Sequence, residues 1–235
     1  MSGSIVSPEL RARVRGVATP IAVGFGRLGL TPNHLTLIGF GIAIVAAAAA
    51  WQESWLAAGV LVLVGAVFDL FDGALARATG RTSRLGAFMD SVADRAGEGV
   101  VYVGIIAGCL AAAFNLGAIL AAAAMAAAFM VSYVRAKSES LGFTSGTGMA
   151  AIGIAPREMR IVILTIGLLF TGVLGFVGPW DLGDCPSDLL VSCLPPDQYR
   201  SADLVLATSL GLITVLATVT TIQRIVHVIR QTPQE

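Results

Sequence analysis

The chain has 235 residues, of which 56% are hydrophobic and only 13% are charged, and its formal net charge is zero. Few soluble domains could keep such long runs of Ala, Val, Leu and Ile from aggregating, so the composition indicates a membrane protein. The balanced charge also gives no support to a nucleic-acid-binding surface, and we expect no nucleic acid partner.

The first predicted element is an amphipathic helix over residues 8–28. This segment carries Arg11, Arg13 and Arg15 among scattered apolar residues, and it contains no short apolar core with a cleavage site. The pattern is typical of a helix that lies along the surface of a membrane.

Six apolar segments follow, each long enough to cross a bilayer, which takes about 20 mainly apolar residues. No linker and no internal repeat divides them. The expected fold class is therefore an all-α integral membrane protein with one domain over residues 1–235 and a six-helix transmembrane core over residues 33–228. The six segments lie near residues 33–51, 54–78, 85–110, 114–137, 160–179 and 203–228.

The basic residues predict how the chain is oriented. All Lys and Arg except Arg200 lie at or near the same ends of the apolar segments. The positive-inside rule then places both termini, and this side of the protein, in the cytoplasm at the cell membrane. The opposite loop contains Cys185 and Cys193. A disulfide between them and two free thiols remain equally open interpretations.

Four aspartates lie inside the second and third apolar segments, namely Asp69, Asp72, Asp90 and Asp94. Each would cost about 2.5 to 3.5 kcal/mol near the middle of a bilayer if it were uncompensated. The members of each pair are three or four residues apart and so share a helix face. We expect the two helices to be antiparallel neighbours, because the connection between them is short.

Facing carboxylate pairs would form an oxygen-rich cage that opens toward the cytoplasm. Oxygen ligands without nearby His or Cys suit Mg²⁺ or Mn²⁺, and four negative charges match two divalent ions. The alternative interpretation is that the carboxylates form only structural ion pairs with the nearby arginines, which are Arg77, Arg81, Arg84 and Arg95.

The spacing of these residues resembles the signature of the CDP-alcohol phosphatidyltransferases at all eight fixed positions. The matching pattern is Asp69-x2-Asp72-Gly73-x2-Ala76-Arg77-x8-Gly86-x3-Asp90-x3-Asp94. The resemblance implies six transmembrane helices, a homodimer, and transfer of a lipid phosphate from a CDP-activated diacyl or ether lipid to an alcohol, with release of CMP.

The resemblance also implies roles for individual residues. Asp69, Asp72 and Asp90 would bind one Mg²⁺ ion, while Asp69, Asp90 and Asp94 would bind the other. Asp94 would also be the general base. The CDP group would be held by residues of the motif and of the first apolar segment, namely Asn33, His34, Leu35, Thr36, Gly73, Arg77 and Ser83.

A second set of cations predicts a phosphorylated acceptor alcohol. These residues resemble those of the branch that makes phosphatidylinositol phosphate or archaetidylinositol phosphate, which implies inositol phosphate as the acceptor. Glycerol 3-phosphate is the alternative acceptor, and serine ranks third because it needs fewer cations. Positive residues also collect at cytoplasmic ends whatever the substrate. The candidate residues are Arg135, Lys137, Arg157, Arg160 and Arg224.

Three features leave alternatives open. Intramembrane carboxylates also occur in ion or proton transporters, and a structural membrane subunit is a further function class. Gly104 and Gly108 form a small-xxx-small pair that could pack helices within one subunit or across a dimer. Glu98 follows Asp94 by one turn, and we expect it to be a structural partner of an arginine rather than a group that tunes the base.

Overall fold

The computed structural model describes residues 8–143, 152–177 and 201–231. Throughout these ranges the chain forms helices joined by short turns. Cys185 and Cys193 lie outside the described residues. The helices are α1 (Pro8–Arg27), α2 (Pro32–Trp51), α3 (Trp55–Ala78), α4 (Arg84–Ala111), α5 (Asn115–Ser140), α6 (Arg157–Val177) and α7 (Ser201–Gln231).

The described part of the chain contains five helices that are long and apolar enough to cross a membrane, so this is a multi-pass membrane protein. They are α2, α3, α5, α6 and α7. Helix α4 covers the predicted segment 85–110 but is not among the five. Its first half carries Asp90, Asp94, Arg95 and Glu98, and these charges lower its mean hydropathy. The count of six spans therefore stays a prediction.

Local signals set the ends of the helices around the predicted cage. The backbone N–H of His34 donates to Thr31 Oγ1, and the Thr31 N–H donates to His34 Nδ1, each over 3.3 Å. This reciprocal capping box, with Pro32 as the first helical residue, fixes the start of α2. At the start of α4, the Gly86 N–H donates to Ser83 Oγ over 2.9 Å.

Helix α2 lies between α3 and α4 and packs against both. The expectation that α3 and α4 are direct neighbours was wrong. Small residues on two faces of α2 explain the difference, because they let both helices approach its backbone. On one face Gly39 approaches α3, where a Cβ would lie 3.8 Å from the Gly65 carbonyl oxygen.

The other face of α2 receives Gly104 and Gly108 of α4. A Cβ at Gly104 would lie 2.6 Å from Ala47 Cα and would overlap the Ala47 carbonyl, and one at Gly108 would overlap the Ala50 carbonyl. The small-xxx-small pair thus packs helices within one subunit, which settles the open alternative.

Helices α5, α6 and α7 complete the bundle, with α6 packed on α3 and α7, and α5 packed on α4 and α7. The main apolar core includes Tyr102, Ile105, Leu168, Leu210 and Ile213. A smaller apolar cluster joins α1 to the start of α2 and to the end of α3, around Ala22, Leu35 and Leu75. The polar residues of α3, α4 and α6 lie between these two clusters.

Candidate active site

Two of the predicted carboxylates, Asp72 and Asp90, line one cleft between α2, α3 and the start of α4. Asp72 is buried, with 5% of its surface exposed. Thr36 of α2 donates from Oγ1 to Asp72 Oδ2 over 2.7 Å. A hydrogen bond from a fixed hydroxyl orients this carboxylate toward the cleft.

The other two carboxylates, Asp69 and Asp94, are joined by Arg157 from the first turn of α6. Arg157 Nη2 lies 2.7 Å from Asp69 Oδ2, and Nη1 lies 2.8 Å from Asp94 Oδ1. The guanidinium therefore connects α3, α4 and α6 at one point. The sequence predicted Arg157 as an acceptor-binding cation, and the structure places it among the predicted metal ligands.

The predicted four-aspartate cage is not closed in this arrangement. Among the described residues, no three His, Cys, Asp or Glu side chains come close enough together to hold one ion. The donor chemistry nevertheless fits a hard divalent ion, because the site offers only carboxylate and hydroxyl oxygens. The guanidinium held between Asp69 and Asp94 indicates that these two carboxylates accept a shared cation.

The cleft beside Asp72 and Asp90 contains most of the residues predicted to bind CDP. Arg81 and Thr82 extend it toward the connection between α3 and α4. A Cβ at Gly73 would lie 3.2 Å from Arg77 Nη1, so the missing side chain leaves room for this guanidinium. The predicted residues that line the cleft are Asn33, Thr36, Gly73, Arg77 and Ser83.

His34 and Leu35 do not line this cleft. The His34 side chain takes part in the capping box of α2, where Nδ1 accepts from the Thr31 N–H. Leu35 is fully buried and packs in the smaller apolar cluster. A helix presents only part of each turn to one side, so a run of four residues could not all face the cleft.

The predicted acceptor cations differ in their exposure and in their partners. Arg135 is exposed and pairs with Glu139 over 2.9 Å, and Lys137 is exposed on the same helix end. Arg160 and Arg224 are 1% and 3% exposed. Arg224 donates from Nε to the Ile152 carbonyl over 2.9 Å and from Nη1 to the Val131 carbonyl over 2.7 Å.

Arg160 and Glu98 form a buried ion pair, and both side chains are less exposed than that of Arg157. Arg160 Nε and Nη2 each donate to one Glu98 carboxylate oxygen over 2.9 Å. The sequence predicts that Glu98 pairs with an arginine, and in the structure that arginine is Arg160. Both residues line a second cavity between α2, α3, α4 and α6, together with Asp69, Asp94 and Arg157.

Comparisons with known proteins show which family the chain resembles. Residues 29–182 match the family model described as CDP-alcohol phosphatidyltransferase. The chain is 38% identical over 165 residues to the archaetidylinositol phosphate synthase of Pyrococcus horikoshii, covering 70% of this chain and 83% of that protein. It is 33% identical over 187 residues to the phosphatidylinositol phosphate synthase of Mycobacteroides abscessus, covering 77% and 79% of the two chains.

Two solved structures of phosphatidylinositol phosphate synthase from Mycobacterium tuberculosis share the fold. The structure with CDP-DAG bound has a TM-score of 0.69 and 27% identity, covering 92% of this chain and 95% of that chain. The structure in complex with manganese and citrate has a TM-score of 0.69 and 25% identity, covering 92% and 90%.

Proposed function

Because its residues 29–182 match the family model, the chain belongs to the CDP-alcohol phosphatidyltransferase family, and from this premise we propose that its acceptor is inositol phosphate. As a member it is a transferase that moves the phosphatidyl group of CDP-diacylglycerol to an alcohol. The observation that carries the proposal is the similarity to two kinds of inositol phosphate lipid synthase over 70% and 77% of the chain. Family membership sets aside the transporter and structural-subunit alternatives.

Enzymes of this family depend on a divalent metal, and we assign the ligands by the signature. Asp69, Asp72 and Asp90 would hold one Mg²⁺ ion, and Asp69, Asp90 and Asp94 would hold a second, with Mn²⁺ as a substitute; the carboxylates would have to come closer together than they are in this structure. Bound ions of this kind polarise a diphosphate and neutralise the charge that develops on its leaving group. The all-oxygen donor set of the site supports this assignment.

Different side chains take the proton, neutralise the departing CMP and bind the nucleotide. The Asp94 carboxylate takes the proton of the acceptor hydroxyl, whose oxygen attacks the lipid-side phosphorus as the bond from that phosphorus to CMP breaks. The Arg77 guanidinium neutralises negative charge on the departing CMP. Asn33, Thr36, Gly73 and Ser83 hold the nucleotide in the cleft that they line.

The acceptor phosphate is bound at the cytoplasmic mouth of the bundle. Arg160 does not bind it, since all three of its side-chain nitrogens donate to Glu98 or to the Ala155 carbonyl. The exposed Arg135 and Lys137, Arg157 beside Asp94, and the buried Arg224 remain the candidates. An arginine at the carboxylates would hold the phosphate close to the general base.

The membrane arrangement that fits this chemistry has six spans, with α4 as the sixth. Helix α4 has 28 residues, which is a length of about 42 Å at 1.5 Å per residue. Two of its charges, on Asp94 and Glu98, are paired with arginines of α6. Both termini and the active site then face the cytoplasm, with α1 along the membrane surface. The homodimer implied by the family stays a prediction.

A comparison of acceptors tests the proposed function. Purified enzyme receives CDP-diacylglycerol and Mg²⁺ with inositol phosphate, free inositol, glycerol 3-phosphate or serine, and released CMP is measured. We expect turnover with inositol phosphate, because the remaining cations require a phosphate on the acceptor. Turnover with glycerol 3-phosphate alone would overturn the proposal. A parallel series with an ether-linked CDP lipid identifies the donor.

Thr36→Val tests whether the Thr36 hydroxyl orients Asp72. Valine keeps the shape of the side chain but removes the 2.7 Å hydrogen bond. Loss of a partner that orients a metal ligand typically lowers metal affinity by roughly 10- to 100-fold. We therefore expect a higher Mg²⁺ concentration for half-maximal CMP release. Thr36→Ser keeps the hydroxyl and should behave like the native enzyme, and an unchanged Mg²⁺ requirement in Thr36→Val would refute the role.

A further inference from the structure

Two parallel ion pairs join α4 to α6. Asp94 and Glu98 are one turn apart on α4, and Arg157 and Arg160 are one turn apart at the start of α6. Arg157 contacts Asp94 over 2.8 Å, and Arg160 contacts Glu98 over 2.9 Å. The first pair lies in the proposed active site. The proposed chemistry leaves the second pair without a role.

The Glu98–Arg160 pair has almost no exposed surface, although both residues line the second cavity. The Arg160 and Glu98 side chains are 1% and 4% exposed. Two of the Arg160 nitrogens engage both carboxylate oxygens, and Nη1 donates to the Ala155 carbonyl over 3.3 Å. A planar guanidinium held at both carboxylate oxygens has a fixed orientation. The pair therefore holds the first turn of α6 at a defined distance from α4.

This side-chain link matters because the two helix backbones do not pack closely here. Helix α6 packs on α3 and α7, and a cavity lined by Gly97, Val101 and Leu164 lies between α6 and α4. The two ion pairs cross this gap. The position of Arg157 relative to Asp94 thus depends on long side chains, of which Arg160 is the most buried.

The chain that leads into α6 is held from the other side by α7. The Ala155 N–H donates to Thr220 Oγ1 over 2.9 Å. Gly153 has a φ of +112°, and a Cβ there would lie 3.2 Å from Thr220 Cβ. The Arg160 bond to the Ala155 carbonyl ties this segment to the ion pair, so the segment just before Arg157 is fixed on both sides.

We propose that Glu98, acting through Arg160, is a positioning residue that holds the Arg157 guanidinium against Asp69 and Asp94. The inference rests on the proposed function, in which Arg157 is a candidate to bind the acceptor phosphate beside Asp94. Glu98 and Arg160 touch neither substrate. Their effect on turnover passes through Arg157 and disappears when Arg157 is removed.

A double-mutant cycle tests this proposal. Its four enzymes are the native protein, Arg157→Ala, the paired change Glu98→Gln with Arg160→Gln, and the combination of all three changes. The paired change removes both charges of the ion pair, so neither Glu98 nor Arg160 is left as an unpaired buried charge. CMP release is measured with whichever acceptor the native enzyme turns over, so a wrong acceptor assignment does not affect the cycle.

We expect the paired change to lower kcat roughly tenfold or more in the native background, because small displacements of a catalytic group are costly. In the Arg157→Ala background it should have no further effect, since residues that act through one another are not additive. Melting temperatures in detergent verify that each variant is folded. An equal loss in both backgrounds, or native turnover in a folded paired variant, would overturn the proposal.

Glu98→Asp provides a second variant if the paired change does not fold. It keeps the charge but shortens the side chain by one methylene, so Arg160 must move or lose one contact. We expect a partial loss of kcat that again vanishes in the Arg157→Ala background. A partial loss that persists there would show that Glu98 acts independently of Arg157, and the inference would fail.

Discussion

Asp94→Asn should lower the rate of CMP release by roughly 1,000-fold, the range expected when a general base is removed. Asparagine keeps the size of the side chain but cannot accept the proton of the acceptor hydroxyl. It also offers one carboxylate oxygen fewer to a divalent ion and loses the charge that pairs with Arg157 over 2.8 Å. The measurement is CMP release from CDP-diacylglycerol by purified enzyme.

The matched control is Glu53→Gln, the same neutralisation at an exposed carboxylate in the turn between α2 and α3. This turn lies at the opposite ends of these helices from the cleft, so the control should keep native turnover. Asp94→Asn with native CMP release would contradict the assignment of the general base. A melting temperature close to that of the native enzyme shows that the loss is chemical rather than structural.

Gly104→Ala should destabilise the fold by about 1 to 3 kcal/mol or more, as overpacking of a close helix contact does. The added methyl group would overlap the carbonyl of Ala47, so α2 and α4 must move apart. A flexible side chain could rotate away, but a backbone carbonyl cannot. We expect a lower melting temperature in detergent and weaker CMP release, since Thr36 and Asp90 lie on these two helices.

Gly41→Ala is the control on the same helix. Nothing lies within 4 Å of a Cβ at position 41. Gly41 is half-buried, and replacing a helical glycine by alanine where the space is open usually stabilises a protein by about 0.4 to 1 kcal/mol. The two substitutions should therefore shift the melting temperature in opposite directions. Equal shifts in melting temperature would contradict the explanation that Gly104→Ala destabilises the fold through the close approach of α4 to Ala47.

Much of the site could be predicted from local spacing. The separations from Asp69 to Asp72 and from Asp90 to Asp94 place each pair on one helix face, and the Gly73 and Arg77 positions follow in the same motif. The helix bounds agree with the apolar segments to within a few residues. These features depend only on residues close together in the chain.

The rest depends on contacts between distant residues. Arg157 bonds to Asp69, and Arg160 to Glu98, over sequence separations of 88 and 62 residues. No periodicity links such positions, so the sequence could not show which arginines serve the carboxylates and which serve the acceptor. The placement of α2 between α3 and α4 also escaped prediction. A short connection favours direct packing of the two helices that it joins. Here the small residues on two faces of α2 let α3 and α4 each pack against α2 instead.

The pairing of α4 with α6 has a consequence for the biogenesis of the protein. In the six-span arrangement, Asp94 and Glu98 enter the bilayer on a helix whose counter-ions belong to a later segment. The ribosome completes all of α5 before it synthesises Arg157 and Arg160. Until then α4 carries carboxylates that a bilayer disfavours. In that arrangement, α4 would insert stably only after α6 has been made and its arginines can pair with Asp94 and Glu98.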